Sequence, residues 1–232
     1  MMFRELTRGL MILLFCTLPI QVQADVVFFD HFEGSTLGSA WIVKNPDPSQ
    51  YSIADSKLNT FTLKGDLHHG DNNYKNLFLI ANPLGKGDFS MTLRVLDFFP
   101  DSAFQQVDII VYDDDDNYIK CLNGMVADRK WEFGSEVDGT YTATKDADGA
   151  DNSNFYLRLA KTGNVYRQYF SLDGLTFVER NSPVTYGNGA PPYFGFIALE
   201  GGVTATPVPV SIDFFKVESG SSLPATMLNL MD

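Results

Sequence analysis

Hydrophobic and polar residues alternate with period two in short runs along most of this chain, and Gly, Asp, Asn and Pro separate the runs. Such alternation sends successive side chains to opposite faces of an extended strand, while apolar positions at helical spacing are almost missing. The pattern predicts strands over 25–29, 51–53, 57–62, 76–82, 88–97, 105–113, 118–122, 130–137, 154–161, 164–172, 176–180, 193–199 and 208–217. Between them, 113–117 (DDDDN), 161–164 (KTGN) and Asp173-Gly174 read as hairpin turns. So many strands with so little helix suit two facing sheets better than one small barrel.

Alternation also assigns faces. In 106–112, Val107, Ile109 and Val111 share the face expected to meet the core, leaving Gln106, Asp108, Ile110 and Tyr112 on the other. Tyr118, Lys120 and Leu122 share a face in the next strand, and Arg158 is the polar partner in 156–160.

The N-terminus changes the picture. Arg4 and Arg8 precede an apolar stretch over 9–20 that is too short to span a bilayer, and Val22-Gln23-Ala24 offers small residues for cleavage. Residues 1–24 therefore read as a signal peptide, 25–219 as one domain and 220–232 as a tail. The expected location is secreted or periplasmic, in a bacterial setting, with no membrane segment after cleavage. The signal segment carries two Arg and one Glu, so its loss takes the net charge from −12 to −13. That balance repels phosphate backbones and anionic surfaces, which argues against nucleic acid as a partner. Cys16 leaves with the signal, so Cys121 stands alone: no internal disulfide and no cysteine zinc site can form.

Read in order, certain pieces are familiar. They are Asp30-His31-Phe32-Glu33-Gly34 with Trp41, Gly65-Asp66-Leu67, Gly87-Asp88-Phe89, Gln105-Gln106 and Asp115-Asp116-Asn117-Tyr118. Tyr156-Leu157-Arg158-Leu159, Ser171-Leu172-Asp173-Gly174 and Asp213-Phe214-Phe215 complete the series. Together they resemble the concanavalin A-like domain at the C-terminus of family 43 β-xylosidases and related domains of secreted bacterial proteins. The resemblance departs at Val107-Asp108 and at His68-His69, and it lacks the glycosidase domain that precedes such modules. It implies an all-β, concanavalin A-like, two-sheet jelly-roll sandwich with a concave sheet. On that sheet Gln106, Asp108, Tyr112, Lys120, Arg158 and Tyr169, with Arg167 beside them, would line one groove. Amide, carboxylate and guanidinium groups suit vicinal hydroxyls, and Tyr112 and Tyr169 would cover the C–H face of a sugar ring. The alternative is an outer face of cross-strand ion pairs.

Sandwiches of this kind often tie first and last strands with calcium, a cation that prefers carboxylate and carbonyl oxygens. Asp30, Glu33 and Asp213 are the candidate ligands for a structural Ca²⁺. Catalytic patterns are sparse: His31, His68 and His69 are the only histidines, and no Gly-x-Ser-x-Gly or His-Glu-x-x-His occurs. Glu132 and Glu136 are spaced like a glucanase pair, but Gly134 and Ser135 stand between them. The chain is expected to be a non-catalytic, lectin-like carbohydrate-binding module. The alternatives are a polysaccharide lyase or glycoside hydrolase using the same groove, and a protein-binding adhesion module.

Overall fold

The computed structural model describes residues 24–125, 127–187, 189–202 and 206–220; all but the last residue of the expected signal peptide (1–24) and all but the first of the expected tail (220–232) lie outside them. Two eight-stranded sheets face each other. Sheet A runs β14 (Val178–Thr185), β13 (Val165–Ser171), β12 (Phe155–Thr162), β7 (Phe89–Leu96), β16 (Pro209–Ser219), β4 (Lys57–Phe61) and β3 (Ser52–Ala54), and β1 (Val26–Asp30) also pairs with β16. Sheet B runs β11 (Thr140–Asp146), β10 (Arg129–Val137), β9 (Asn117–Met125), β8 (Gln105–Asp114), β15 (Tyr193–Glu200), β6 (Leu77–Ala81) and β2 (Ile42–Lys44). The short β5 (Leu63–Lys64) lies parallel to β15; every other pairing is antiparallel. The described residues contain two short 3₁₀ turns and no α-helix. This is the all-β two-sheet sandwich of the concanavalin A-like type.

The core fills the space between the sheets, where the inward residues of both interdigitate. Val107, Ile109 and Val111 of β8 are fully buried in it, as the alternation requires. Aromatic rings supply much of the contact: Trp131 stacks on Phe170 at 4.6 Å, and Phe78 on Phe196 at 5.1 Å. Each such ring contributes roughly 1.5–3 kcal/mol by leaving water, so the sandwich holds without a disulfide. Cys121 is buried in the same core, and burial raises its thiol well above the ordinary value. That is the environment of an inert cysteine.

Three strands were not expected: β2, β5 and β11. The first two are only three and two residues long. The third, Thr140–Asp146, is an edge strand whose side chains are mostly exposed. Without an apolar face, its Thr-rich alternation carries little signal.

Candidate functional site

The outer face of sheet B is divided by one loop. Residues 65–76 leave β5, fold over the sheet and return to β6. Gly65 makes this possible: at φ 135° its backbone packs so tightly on Asn73 and Tyr74 that a Cβ would overlap them. Asp66 N–H donates to Asn73 Oδ1 (2.8 Å) and Asn73 N–H donates back to Asp66 O (3.1 Å), closing the loop. Leu67 and Tyr74 then press onto Leu77, Leu79, Ile110 and Leu199, forming a second small core outside the sheet.

The half left uncovered is a groove of about 500 Å³. Its floor holds Gln106, Lys120, Leu122 and Glu132; Asp66, His68, Phe104, Tyr141 and Lys145 stand around it. Lys120 Nζ lies 2.9 Å from Asp108 Oδ2, and both side chains are nearly inaccessible, at 4% and 0% exposure. Asp108 Oδ1 is buried and receives no hydrogen bond. Burial pushes the Asp108 carboxyl up to about 6, against the opposing pull of Lys120. Burial alone would lower Lys120, but Asp108, Asp66 and Glu132 outweigh it and raise the ammonium above the ordinary lysine range. Gln106 points to the same face, and its side-chain amide makes no hydrogen bond among the described residues.

The wall beyond β10 depends on a missing side chain. Tyr141 pairs in register with Glu136, yet its hydroxyl donates to Glu132 Oε1 at 2.7 Å. Its ring lies across Gly134, where a Cβ would strike it. Glu132 also pairs with Lys145 at 3.0 Å. Glu136 is sealed under the loop, accepting from Tyr118 OH (2.8 Å) and His69 N–H (3.2 Å). The two His68 and His69 rings meet edge to face, and His68 also meets Tyr141. Burial first, then His69, lowers the His68 imidazole below its ordinary value, so it is neutral at neutral pH.

The expected ligand residues separate into two groups. Gln106, Asp108, Tyr112 and Lys120 do share the outer face of sheet B. Tyr112, however, is only 2% exposed and lies at the closed end. There its hydroxyl donates to Asp115, which also takes Tyr74 OH at 2.6 Å, while Lys44 donates to Tyr112. No ring face is left for a sugar. Arg158 and Tyr169 are not in this groove, because β12 and β13 belong to sheet A. Arg158 there donates to Thr92 Oγ1 (3.0 Å) and lies 3.5 Å from the centre of the Phe177 ring. Tyr169 is buried in a small cluster with Ala160 and Phe177, and Arg167 pairs with Glu179 at 2.7 Å. Alternation within a strand gives no information on which sheet the strand will join.

The calcium candidates are engaged elsewhere. Asp30 Oδ1 accepts from Phe32 N–H and Oδ2 from the Trp41 indole, both at 2.7 Å. Asp213, at a bulge between Ile212 and Phe214, pairs with Arg94 at 2.8 Å. Glu33 is exposed. Among the described residues no three His, Cys, Asp or Glu side chains gather as metal ligands would.

Phe104, Tyr141 and Lys145 were not among the sequence candidates. The first lies in a connection and the others on the unrecognised edge strand. The alternating Tyr141-Thr142-Ala143-Thr144-Lys145 was the one available signal for β11.

Comparison with known proteins establishes the architecture. No protein-family model and no curated protein matches the sequence. Among solved structures, the GH43 BlXynB protein from Bacillus licheniformis is similar with a TM-score of 0.72 and 21% identity, over 83% of this chain and 39% of that one. The Bacteroides ovatus xyloglucan PUL GH43B gives 0.70 and 18%, over 90% and 42%. A Bacillus licheniformis β-glucanase gives 0.56 and 13%, over 85% and 98%. The chain thus spans about two fifths of the GH43 proteins it resembles, and the shared feature is the sandwich. The described residues form no propeller.

Proposed function

We propose that this chain is an exported, non-catalytic carbohydrate-binding module that holds a glycan in the groove on sheet B. The observation that carries the reading is the groove floor. The Gln106 amide, without a hydrogen bond among the described residues, and the Lys120 ammonium, paired with Asp108, line one open space of about 500 Å³. Amide and ammonium donors suit sugar hydroxyls, and a cleft of this volume holds one or two sugar rings. Asp108 acts through Lys120, holding its ammonium in place from below. The likeness to sandwiches within GH43 proteins supports a saccharide as the ligand class.

Hydrolysis through Glu132 and Glu136 has less support. Four residues along one strand separate their Cα atoms by about 13 Å, and Glu136 is sealed beneath the loop by Tyr118 and His69. A lyase built from His68, Arg158 and Tyr169 has no common site, since the last two lie on the other sheet.

Binding of the exported chain to a broad glycan array tests the reading, followed by titration of the best ligand. Gln106→Ala is expected to weaken affinity about tenfold, the loss of one or two hydrogen bonds. Arg158→Ala is expected to leave affinity unchanged. Equal losses in both variants would remove the groove as the site, and a blank array would remove the glycan.

A further inference from the structure

Phe104 is the one large aromatic side chain that borders the groove with its ring substantially in solvent, at 45% exposure. Its backbone has φ 68°, a left-handed conformation in which a bulky aromatic residue is out of place. The surroundings hold it there. Phe104 N–H donates to Met125 O at 2.6 Å, and Phe104 O accepts from Gly201 N–H at 3.1 Å. The preceding turn is pinned by the fully buried Gln105, whose Oε1 accepts from Asp101 and Ser102 N–H and whose Nε2 donates to Thr206 O. An exposed aromatic ring held by an over-determined, unfavourable backbone is a feature that folding alone does not call for. It has one evident use, as a rigid face beside the groove.

The charges around that face limit what can lie on it. The two cations of the groove are already matched, Lys120 by Asp108 and Lys145 by Glu132. Asp66 and Asp71 add further negative charge, and His68 faces the same space. Among the described residues, nothing in the groove offers an unmatched cation to a carboxylate or sulfate, whereas hydroxyls find donors and acceptors together. We infer that the groove takes an uncharged pyranose chain, with one ring stacked on Phe104 and the hydroxyls of successive rings turned to Gln106 and Lys120. This rests on the carbohydrate reading above and specifies its ligand.

The test uses neutral gluco- and xylo-oligosaccharides and an oligogalacturonate of matched length, titrated against the exported chain, Phe104→Gly and Phe104→Trp. Glycine suits φ 68°, so F104G keeps the fold and removes only the ring. Neutral chains are expected to bind at least tenfold more tightly than the uronate. F104G should lose about tenfold in affinity for them, the worth of one ring stack. F104W should retain binding, and its added indole fluorescence should shift on saturation. An F104G affinity equal to wild type, an unmoved F104W signal, or preference for the uronate overturns this inference while leaving a glycan-binding groove. Binding to no glycan overturns both.

Discussion

The outer faces of the two sheets carry the same kinds of side chain and put them to different use. On sheet A the cations lie flat across neighbouring strands: Arg94 meets Asp213 and the Tyr156 ring, and Arg167 meets Glu179. These are cross-strand pairs at or near the solvent. On sheet B the pair of Lys120 and Asp108 is almost fully removed from water, because the 65–76 loop, the Phe104 turn and strand β11 stand around it. The faces differ by their walls. A sheet with polar residues outward is a surface; connections that rise above it make a cleft and lower the local dielectric.

The largest contrast should come from breaking one pair on each face. Asp108→Ala strands the Lys120 ammonium in a buried site and is expected to cost about 3–5 kcal/mol. Asp213→Ala frees an Arg94 that water already reaches and should cost no more than about 1 kcal/mol. Urea unfolding of both variants measures this, and equal losses would show that the groove floor is as well solvated as sheet A.

Acid should separate the faces by sign. The folded Asp108 carboxyl, near 6, lies above its ordinary 3.8, so the native protein takes up a proton in that window. Stability from this group therefore increases as pH falls from about 6 towards 4. Asp173, in the β13–β14 turn of sheet A, is held down to about 2 by Thr176 N–H, then Leu175 N–H and the Ser171 hydroxyl. Its contribution is complete above 3.8 and is lost as pH falls towards 2. Unfolding midpoints between pH 7 and 2.5 for D108N and D173N should each lack one of these opposite trends; a wild-type profile in D108N would contradict the raised Asp108.

A smaller effect should follow from filling the space under Tyr141. Gly134→Ala puts a methyl group against that ring and is expected to cost about 1–3 kcal/mol while displacing the groove wall. A variant that keeps wild-type stability and glycan affinity would mean that the ring is free to move.

Much of this was legible from residue order. The buried row Val107, Ile109 and Val111, the outward row Gln106, Asp108 and Tyr112, and the isolated Cys121 follow from period-two alternation and composition, because a strand's pleat is a local property. The turns at 113–117 and Asp173-Gly174 were readable for the same reason. Assignment of β12 and β13 to sheet A, which parts Arg158 and Tyr169 from Lys120, was not. It depends on pairing between β12 and β7 some sixty residues apart, and alternation is identical whichever sheet a strand joins. The burial of Tyr112 under Lys44 and Tyr74, and the presence of Phe104 and Tyr141 at the groove, arise from loops and an edge strand whose positions are set by distant contacts. The sequence alone therefore determined most of the strands, their inward and outward sides and the sandwich. Only the tertiary structure decided which outward side became a cleft, because the walls of that cleft come from loops and from an edge strand whose alternation has no apolar face.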